Sequence, residues 1–219
     1  MSKTQIPTNG IADDAVGNTK LDLTANYAFT GTITGAGGRY NLLTTTTVTS
    51  DVADVTFSNS FITSTHKIYV CEFYNVKPAS DDQQFFMRVS TDNFVINQKS
   101  DMINRGMRDT GDDSSSASSA FGDVYQTSSE GIRLTGKGAD SGGDTGRSVN
   151  GHCILYNAAD SGLDTSWQWD IQLYANDGYQ GFFKGAGQME SAATHNAWRF
   201  LFNSGSIAAG TFKVYGVTT

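Results

Sequence analysis

HKIYVCEFYNVKPASDDQQFFMRVS, residues 66–90, is the stretch whose reading decides the fold. From His66 to Val76 it is dense in β-branched and aromatic residues, a composition that suits a pleated, half-buried surface. One alternating set, Ile68, Val70, Tyr74 and Val76, is apolar and interrupted only by Glu72. The other set, Tyr69, Cys71 and Phe73, is apolar throughout. A strand apolar on both faces is expected at the centre of a sheet, covered on both sides. The connection KPASDDQ holds one of the chain's 2 prolines and the adjacent Asp81 and Asp82, which is strong turn chemistry. Beyond it Phe85, Met87 and Val89 alternate with Phe86, Arg88 and Ser90. The stretch therefore reads as a long antiparallel pair at the centre of a β-sandwich.

Toward the C-terminus the same period recurs between polar loops. DMINRGMR (101–108) reads as a short strand, with Met102 and Met107 filling gaps, and is followed by the Asp/Ser/Gly surface loop of residues 109–120. EGIRLT (130–135) and GHCILY (151–156) return to strand composition, with the glycine-rich loop 136–150 between them. After loop 157–166, Trp167, Trp169, Ile171 and Leu173 alternate with Ser166, Gln168, Asp170, Gln172 and Tyr174, the cleanest period-two pattern in the chain. GYQGFFKGAG (178–187), AWRFLF (197–202) and a closing hairpin complete the sheets. No segment carries sustained helical periodicity; Ser191–Asn196 admits one short helical turn at most.

On the N-terminal side, LLTTTTVTSDVADVTF (42–57) predicts one or two strands at a sheet edge. Residues 1–38 differ: Ile11, Val16, Leu21 and Leu23 are single apolar residues among polar ones, and no segment there can close a core alone. Tyr27 to Ile33, including Phe29, has β composition punctuated by Gly31 and Gly35. Such a piece is ordered only against something else; from composition alone, a disordered tail reads equally well.

Three stretches together carry a family resemblance. The run from Gly10 to Ala36, above all LTANYAFTGTITGAG (23–37), resembles the N-terminal segment of bacteriophage tail-fibre and related virion-fibre proteins. FLFNSGSIAAGTFKVYGVTT (200–219) resembles the closing hairpin of phage jelly-roll-like domains, through Gly210, Thr211, Phe212, Lys213, Val214, Tyr215, Gly216 and Val217. EFYNVKPASDDQQFFMRVSTD (72–92) is similar to the strand, polar turn and strand at the centre of those domains. The resemblance implies an all-β, two-sheet antiparallel, jelly-roll-like sandwich over residues 39–219, preceded by an extended attachment and oligomerisation segment, residues 1–38. It implies a structural protein of a phage virion: a tail fibre or other appendage that contacts the host surface and a glycan on it. The chain would be assembled in the host cytoplasm with other virion proteins and with itself as a homotrimer. Ile11, Val16, Leu21, Leu23, Tyr27, Phe29 and Ile33 would then meet their copies near a threefold axis. A carbohydrate-binding, lectin-like module and a capsid decoration protein are the competing readings.

Composition fits these readings. The 219 residues suit one large β domain, or one domain with an appendage. Only 38% are hydrophobic and 17% charged, while 24 are Gly, so Thr, Ser, Asn and Gln must cover much of the surface. A net charge of −7 argues against nucleic acid or an anionic membrane as the main partner. No apolar run is long enough for membrane insertion, and MSKTQIPTNG lacks a signal-peptide core. Cys71 and Cys153, each inside an apolar strand, read as free buried thiols.

No constellation for catalysis or a cofactor emerges. His66, His152 and His195 fall in three elements without metal-ligand spacing, and no nucleophile elbow, HExxH or phosphate loop is present. Asp81-Asp82 and Asp112-Asp113 are adjacent acids of the turn-forming kind rather than carboxylates opposed across a cleft. The loops Asp109–Asp113, Asp140–Asp144 and Asp160–Asp164 place carboxylates among small polar residues, but none has the spacing of a calcium loop, so ordinary loop composition is the expectation. The sharpest ligand candidates are Tyr174, Asn176, Asp177, Tyr179 and Gln180, rings and amides at a strand connection that suit a sugar. Trp167, Trp169 and Trp198 share faces with aliphatic and aromatic neighbours and read as core.

Overall fold

The computed structural model describes residues 38–91, 101–109, 118–123, 131–135, 147–174, 180–189 and 192–218; within 101–109, within 118–123 and at Gln180 it describes the backbone alone. The expectations for residues 1–37 lie outside the described residues. Twelve strands follow in order: β1 (Tyr40–Val48), β2 (Val55–Phe57), β3 (Ile68–Pro78), β4 (Phe85–Ser90), β5 (Asp101–Asp109), β6 (Ser118–Asp123), β7 (Ile132–Arg133), β8 (Val149–Tyr156), β9 (Ser166–Tyr174), β10 (Gln180–Gln188), β11 (Ala197–Phe202) and β12 (Ile207–Val217). No helix occurs among the described residues, and residues 192–196 lack the helical turn allowed for them.

The strands form an eight-stranded sheet, β1-β12-β3-β8-β9-β10-β5-β6, and a four-stranded sheet, β2-β11-β4-β7. The pairs β1·β12, β2·β11, β3·β8 and β4·β7 are all antiparallel. They are the successive rungs of one long ribbon in which the chain runs out and returns. Rolling that ribbon lays β12 beside β3 in one sheet and β11 beside β4 in the other. This is a jelly roll, the winding that encloses a core between two sheets. The hairpins β5-β6 and β9-β10 are insertions that widen the larger sheet.

Two sequence expectations change. β3 and β4 do not pair; KPASDDQ carries the chain from one sheet to the other, with Asp82 at φ 61°. The aromatic residues of the two strands instead meet across the sandwich, Phe73 on Phe85 at 5.4 Å. The closing segment behaves alike, since β11 and β12 belong to different sheets. In a short apolar run the period of two says that strands follow one another, not that they share hydrogen bonds. β3 is central, between β12 and β8, but its outer face has no covering layer among the described residues: Glu72 and Tyr74 are exposed there.

Phe200 lies at the middle of the core. Its ring meets Phe73 and Phe212 of the large sheet at 5.6 and 5.7 Å. Within its own sheet it meets Trp198, Phe85 and Phe57 at 5.1, 5.9 and 6.4 Å. Trp198 donates its indole N–H to the Met87 sulfur at 3.4 Å, so even the polar atom of this cluster is used. Trp167, Trp169, Ile171 and Leu173 line the inner face of β9, as their alternation requires. Their partners on β10 are Gly187, Gly185, Phe183 and Gly181. The glycines make room for the rings: a Cβ at Gly185 would stand 2.0 Å from Trp169 Cζ2. Trp169 is fixed in that position by donating to the Leu134 carbonyl at 3.1 Å.

Phe200→Ala leaves a large void between the sheets and is expected to cost about 3–5 kcal/mol. Gly185→Ala overpacks the Trp169 site and is expected to cost about 1–3 kcal/mol. Urea unfolding followed by tryptophan fluorescence checks both, and Phe200→Ala should show the larger loss.

Candidate functional site

The larger sheet presents an outer face on which side chains from distant parts of the sequence fall into rows. A bulge sets its relief. Asn75 stands at φ 56°, and the β3–β8 register slips between Phe73 and Val76. Tyr74 and Asn75 consequently both point to solvent, while Val76 turns into the core with Tyr69, Cys71 and Phe73. Val76 therefore leaves the alternating set in which its sequence position puts it. The Asn150 side-chain carbonyl accepts the Asn75 N–H at 2.8 Å, satisfying the donor that the bulge frees from the ladder. Beside it β12 slips as well, around Gly210 at φ 148°, where a Cβ would approach Val76 Cγ2 to 2.9 Å. The two irregularities open a depression of about 380 Å³ lined by Thr47, Val48, Asn75, Lys77, Ser148, Ala209, Gly210 and Thr211. Three hydroxyls and an amide share this lining with Val48, Ala209 and Gly210, and among the described residues Lys77 is its one charged side chain.

Next to the depression, register places Lys213 opposite Glu72, Glu72 opposite His152, His152 opposite Asp170 and Asp170 opposite Lys184. The result is a row of polar and charged side chains across five strands, with an imidazole between two carboxylates and a lysine at each end. Lys184 Nζ closes on Asp170 Oδ2 at 2.7 Å, an exposed pair that contributes little stability and orients both groups. Partial burial, then the neighbouring Glu72 carboxylate to which it is hydrogen-bonded, hold the Tyr215 phenol above its ordinary range.

A second row contains rings and amides. Asn150 faces Gln172, and Gln172 faces Phe182. Tyr74 stands at the β3 end of this row, against the Asn150-bound bulge. Tyr74, Phe182 and the neighbouring Tyr174 are 41%, 41% and 40% exposed, unusual for large rings on a sheet face. Each carries a cation nearby: Lys213 over Tyr74 at 5.8 Å, Lys184 over Phe182 at 5.0 Å and Arg147 over Tyr174 at 5.8 Å.

Of the sugar-site candidates read from the sequence, Tyr174 is on this face. Gln180 pairs through its backbone with Tyr174 at the start of β10. Asn176, Asp177 and Tyr179 lie outside the described residues. Tyr74, Asn150, Gln172, Phe182 and Lys77 escaped sequence reading, because only register joins them. A partial signal existed in Phe182, which alternates with Phe183 and so cannot share a strand face with it.

The histidines remain separate, and among the described residues no three His, Cys, Asp or Glu side chains converge as metal ligands do. Asp160 is engaged otherwise: Lys67 Nζ meets its Oδ2 at 2.5 Å and the Gly162 N–H meets its Oδ1 at 2.9 Å. These bonds hold the carboxyl below its ordinary range. Loop 157–164 is thus tied to the start of β3 by an ion pair. Residues 110–113 and 140–144 lie outside the described residues. No described helix is long and apolar enough to cross a membrane.

Two buried features make measurable predictions. Cys71 and Cys153 face each other on β3 and β8, free and fully buried. Burial pushes both thiols well above their ordinary range, with Cys153 and Glu72 adding to the effect on Cys71. Since the thiolate is the reactive form, Ellman's reagent is expected to leave the folded chain unmodified and to titrate both thiols in guanidinium. Rapid reaction of the native protein would contradict this.

His195, 1% exposed, shares a 2.8 Å hydrogen bond between its Nδ1 and Thr165 Oγ1, and its buried Nε2 has no hydrogen-bond partner among the described residues. Burial holds this imidazole below its ordinary value of 6.5. Above that value neither state binds the proton and its contribution to folding is complete. As the pH falls below about 6.5 the unfolded chain takes up the proton first, so stability declines by at most about 1.4 kcal/mol per pH unit until the folded imidazole also titrates. His195→Gln is expected to remove that share of the slope in urea midpoints measured at pH 7.5, 6.5 and 5.5. Identical slopes in both proteins would refute the assignment.

No family model, curated protein or solved structure matches this chain.

Proposed function

We propose that the chain is a non-enzymatic structural protein of a phage virion, built into a tail fibre or comparable appendage through residues 1–38. The observation that carries this reading is the placement of β1. It is the edge strand of the larger sheet and follows directly on the segment read as the attachment piece. Edge strands offer unpaired backbone groups to another chain. On this edge Tyr40 and Leu42 are 55% and 52% exposed, and Tyr40 packs edge-on against Tyr215 at 6.2 Å. An incoming strand would gain both a hydrogen-bonding partner and apolar area. The jelly-roll winding adds support, since such double sheets serve as capsid and lectin domains. The virion context itself rests on the resemblance at the two ends and the centre of the chain.

A homotrimer follows from the same logic. Sparse apolar residues such as Ile11, Val16, Leu21 and Leu23 form no core alone, yet three copies around an axis bring equivalent residues together. Mass spectrometry of purified particles is expected to find the chain, and multi-angle light scattering of the full-length protein to give three copies. Deleting residues 1–38 is expected to leave a folded monomer that no longer enters particles. A monomeric full-length chain, together with a truncated chain that still incorporates, would overturn the reading.

A further inference from the structure

The outer face of the larger sheet has two features that fit a single ligand. One is the row Tyr74, Asn150, Gln172 and Phe182 across β3, β8, β9 and β10. The other is the depression next to Tyr74, whose wall carries the hydroxyls of Thr47, Ser148 and Thr211 and the ammonium of Lys77. We propose that this face binds an acidic oligosaccharide, lying along the row with an anionic substituent seated in the depression. The proposal deepens the host-contact part of the preceding reading and rests on it only for its biological setting.

The row has the dimensions and chemistry for such a chain. Its four strands span three interstrand spacings, about 14 Å, the length of a short oligosaccharide. A ring stands at each end with amides between. Sugar rings have apolar faces that stack on aromatics and hydroxyls that bond amides, so this alternation suits successive residues of one glycan. The β-sheet is rigid, and Asn150 is held at both ends, by the Asn75 N–H and by Ser148 Oγ at 3.1 Å. Little ordering is therefore needed on binding.

The sign of the ligand follows from the register. In the charged row, Lys184 is paired with Asp170, and Lys213 stands opposite Glu72 with its ammonium over the Tyr74 ring. Lys77 stands outside that row, opposite Ala209, and is the one charged residue among the described residues that line the depression. Thr47, Thr211 and Ser148 line the same depression, so an anion there would meet hydroxyl donors and an ammonium. Thr211 is also the cross-strand partner of Tyr74. A substituent in the depression and a sugar stacked on Tyr74 are therefore neighbours.

The same register disfavours a second copy docked about a twofold axis through His152. Lys213, Glu72, His152, Asp170 and Lys184 read alike from either end in sign. A twofold axis centred on His152 would lay lysine on lysine and carboxylate on carboxylate, a repulsive arrangement.

The test uses the full-length protein against uronate-, sialate- and sulfate-bearing oligosaccharides, their neutral counterparts and free inorganic sulfate, read by calorimetry and light scattering. At least one acidic oligosaccharide is expected to bind about tenfold or more tightly than its neutral counterpart. Lys77→Gln is expected to erase that preference while leaving the neutral affinity unchanged. Tyr74→Ala and Phe182→Ala are expected to weaken acidic and neutral ligands alike, by about tenfold each. Unchanged thermal unfolding of each variant would confirm that the fold is intact. Absence of binding by every acidic oligosaccharide would overturn the proposal. So would free sulfate binding as tightly as the best glycan, affinity indifferent to all three substitutions, or self-association lost in Phe182→Ala. Virion incorporation is scored separately, so a glycan-binding chain absent from particles would refute the virion reading and leave this one standing.

Discussion

The sandwich of residues 38–218 hangs on the contact of Phe200 with rings from both sheets. Phe73 and Phe212 come from the large sheet, and Phe57, Phe85 and Trp198 from the small one. A jelly roll is a ribbon whose two arms must be held face to face after rolling, and hydrogen bonds alone cannot do this because they run within sheets. Burying an aromatic side chain contributes about 1.5–3 kcal/mol, and ring pairs about 0.5–1.5 kcal/mol more. Concentrating several rings at one point thus fixes the sheets relative to each other. The long polar loops, poor in apolar residues, can then vary without loosening the sandwich.

Alternation made the layers legible and the resemblance supplied the jelly-roll winding, but neither revealed which strands pair. TSWQWDIQLY announced β9 residue by residue, with Trp167, Trp169, Ile171 and Leu173 inward, because alternation along one strand is a local property. LLTTTTVTSDVADVTF likewise announced edge strands, and β1 and β2 are the edges of the two sheets. Pairing is not local. Residues 66–90 look like a hairpin, since nothing in KPASDDQ distinguishes a turn within a sheet from a crossing between sheets. The decision is made elsewhere, by β12 and β8 occupying both sides of β3.

The outer face shows the same limit more sharply. Lys213, Glu72, His152, Asp170 and Lys184 form one row, yet they come from five strands scattered over the chain. Read singly, each is an ordinary polar residue alternating with core positions. Only the register turns them into a pattern of charge. Tyr174 was legible as a candidate because it stands among polar residues at a strand end. Tyr74 was not, because an apolar residue among apolar neighbours looks like core.

The bulge at Asn75 connects these two levels. Without it β3 would continue its alternation, and Val76 would join Ile68, Val70 and Tyr74 on the outside. Inserting one residue reverses the alternation, so Val76 fills the core and Tyr74 and Asn75 are both presented to solvent. A left-handed backbone conformation costs an ordinary residue on the order of 1 kcal/mol, and asparagine is among the side chains that tolerate it best. Asn150 offsets part of that cost by accepting the freed N–H. Gly210 supplies the matching irregularity on β12, where any side chain would collide with Val76. One local departure from regular pairing therefore completes the core on one side of the sheet and opens a depression on the other. Replacing it with regular strand would restore the ladder, but it would also turn Val76 out of the core and close the depression beside Tyr74.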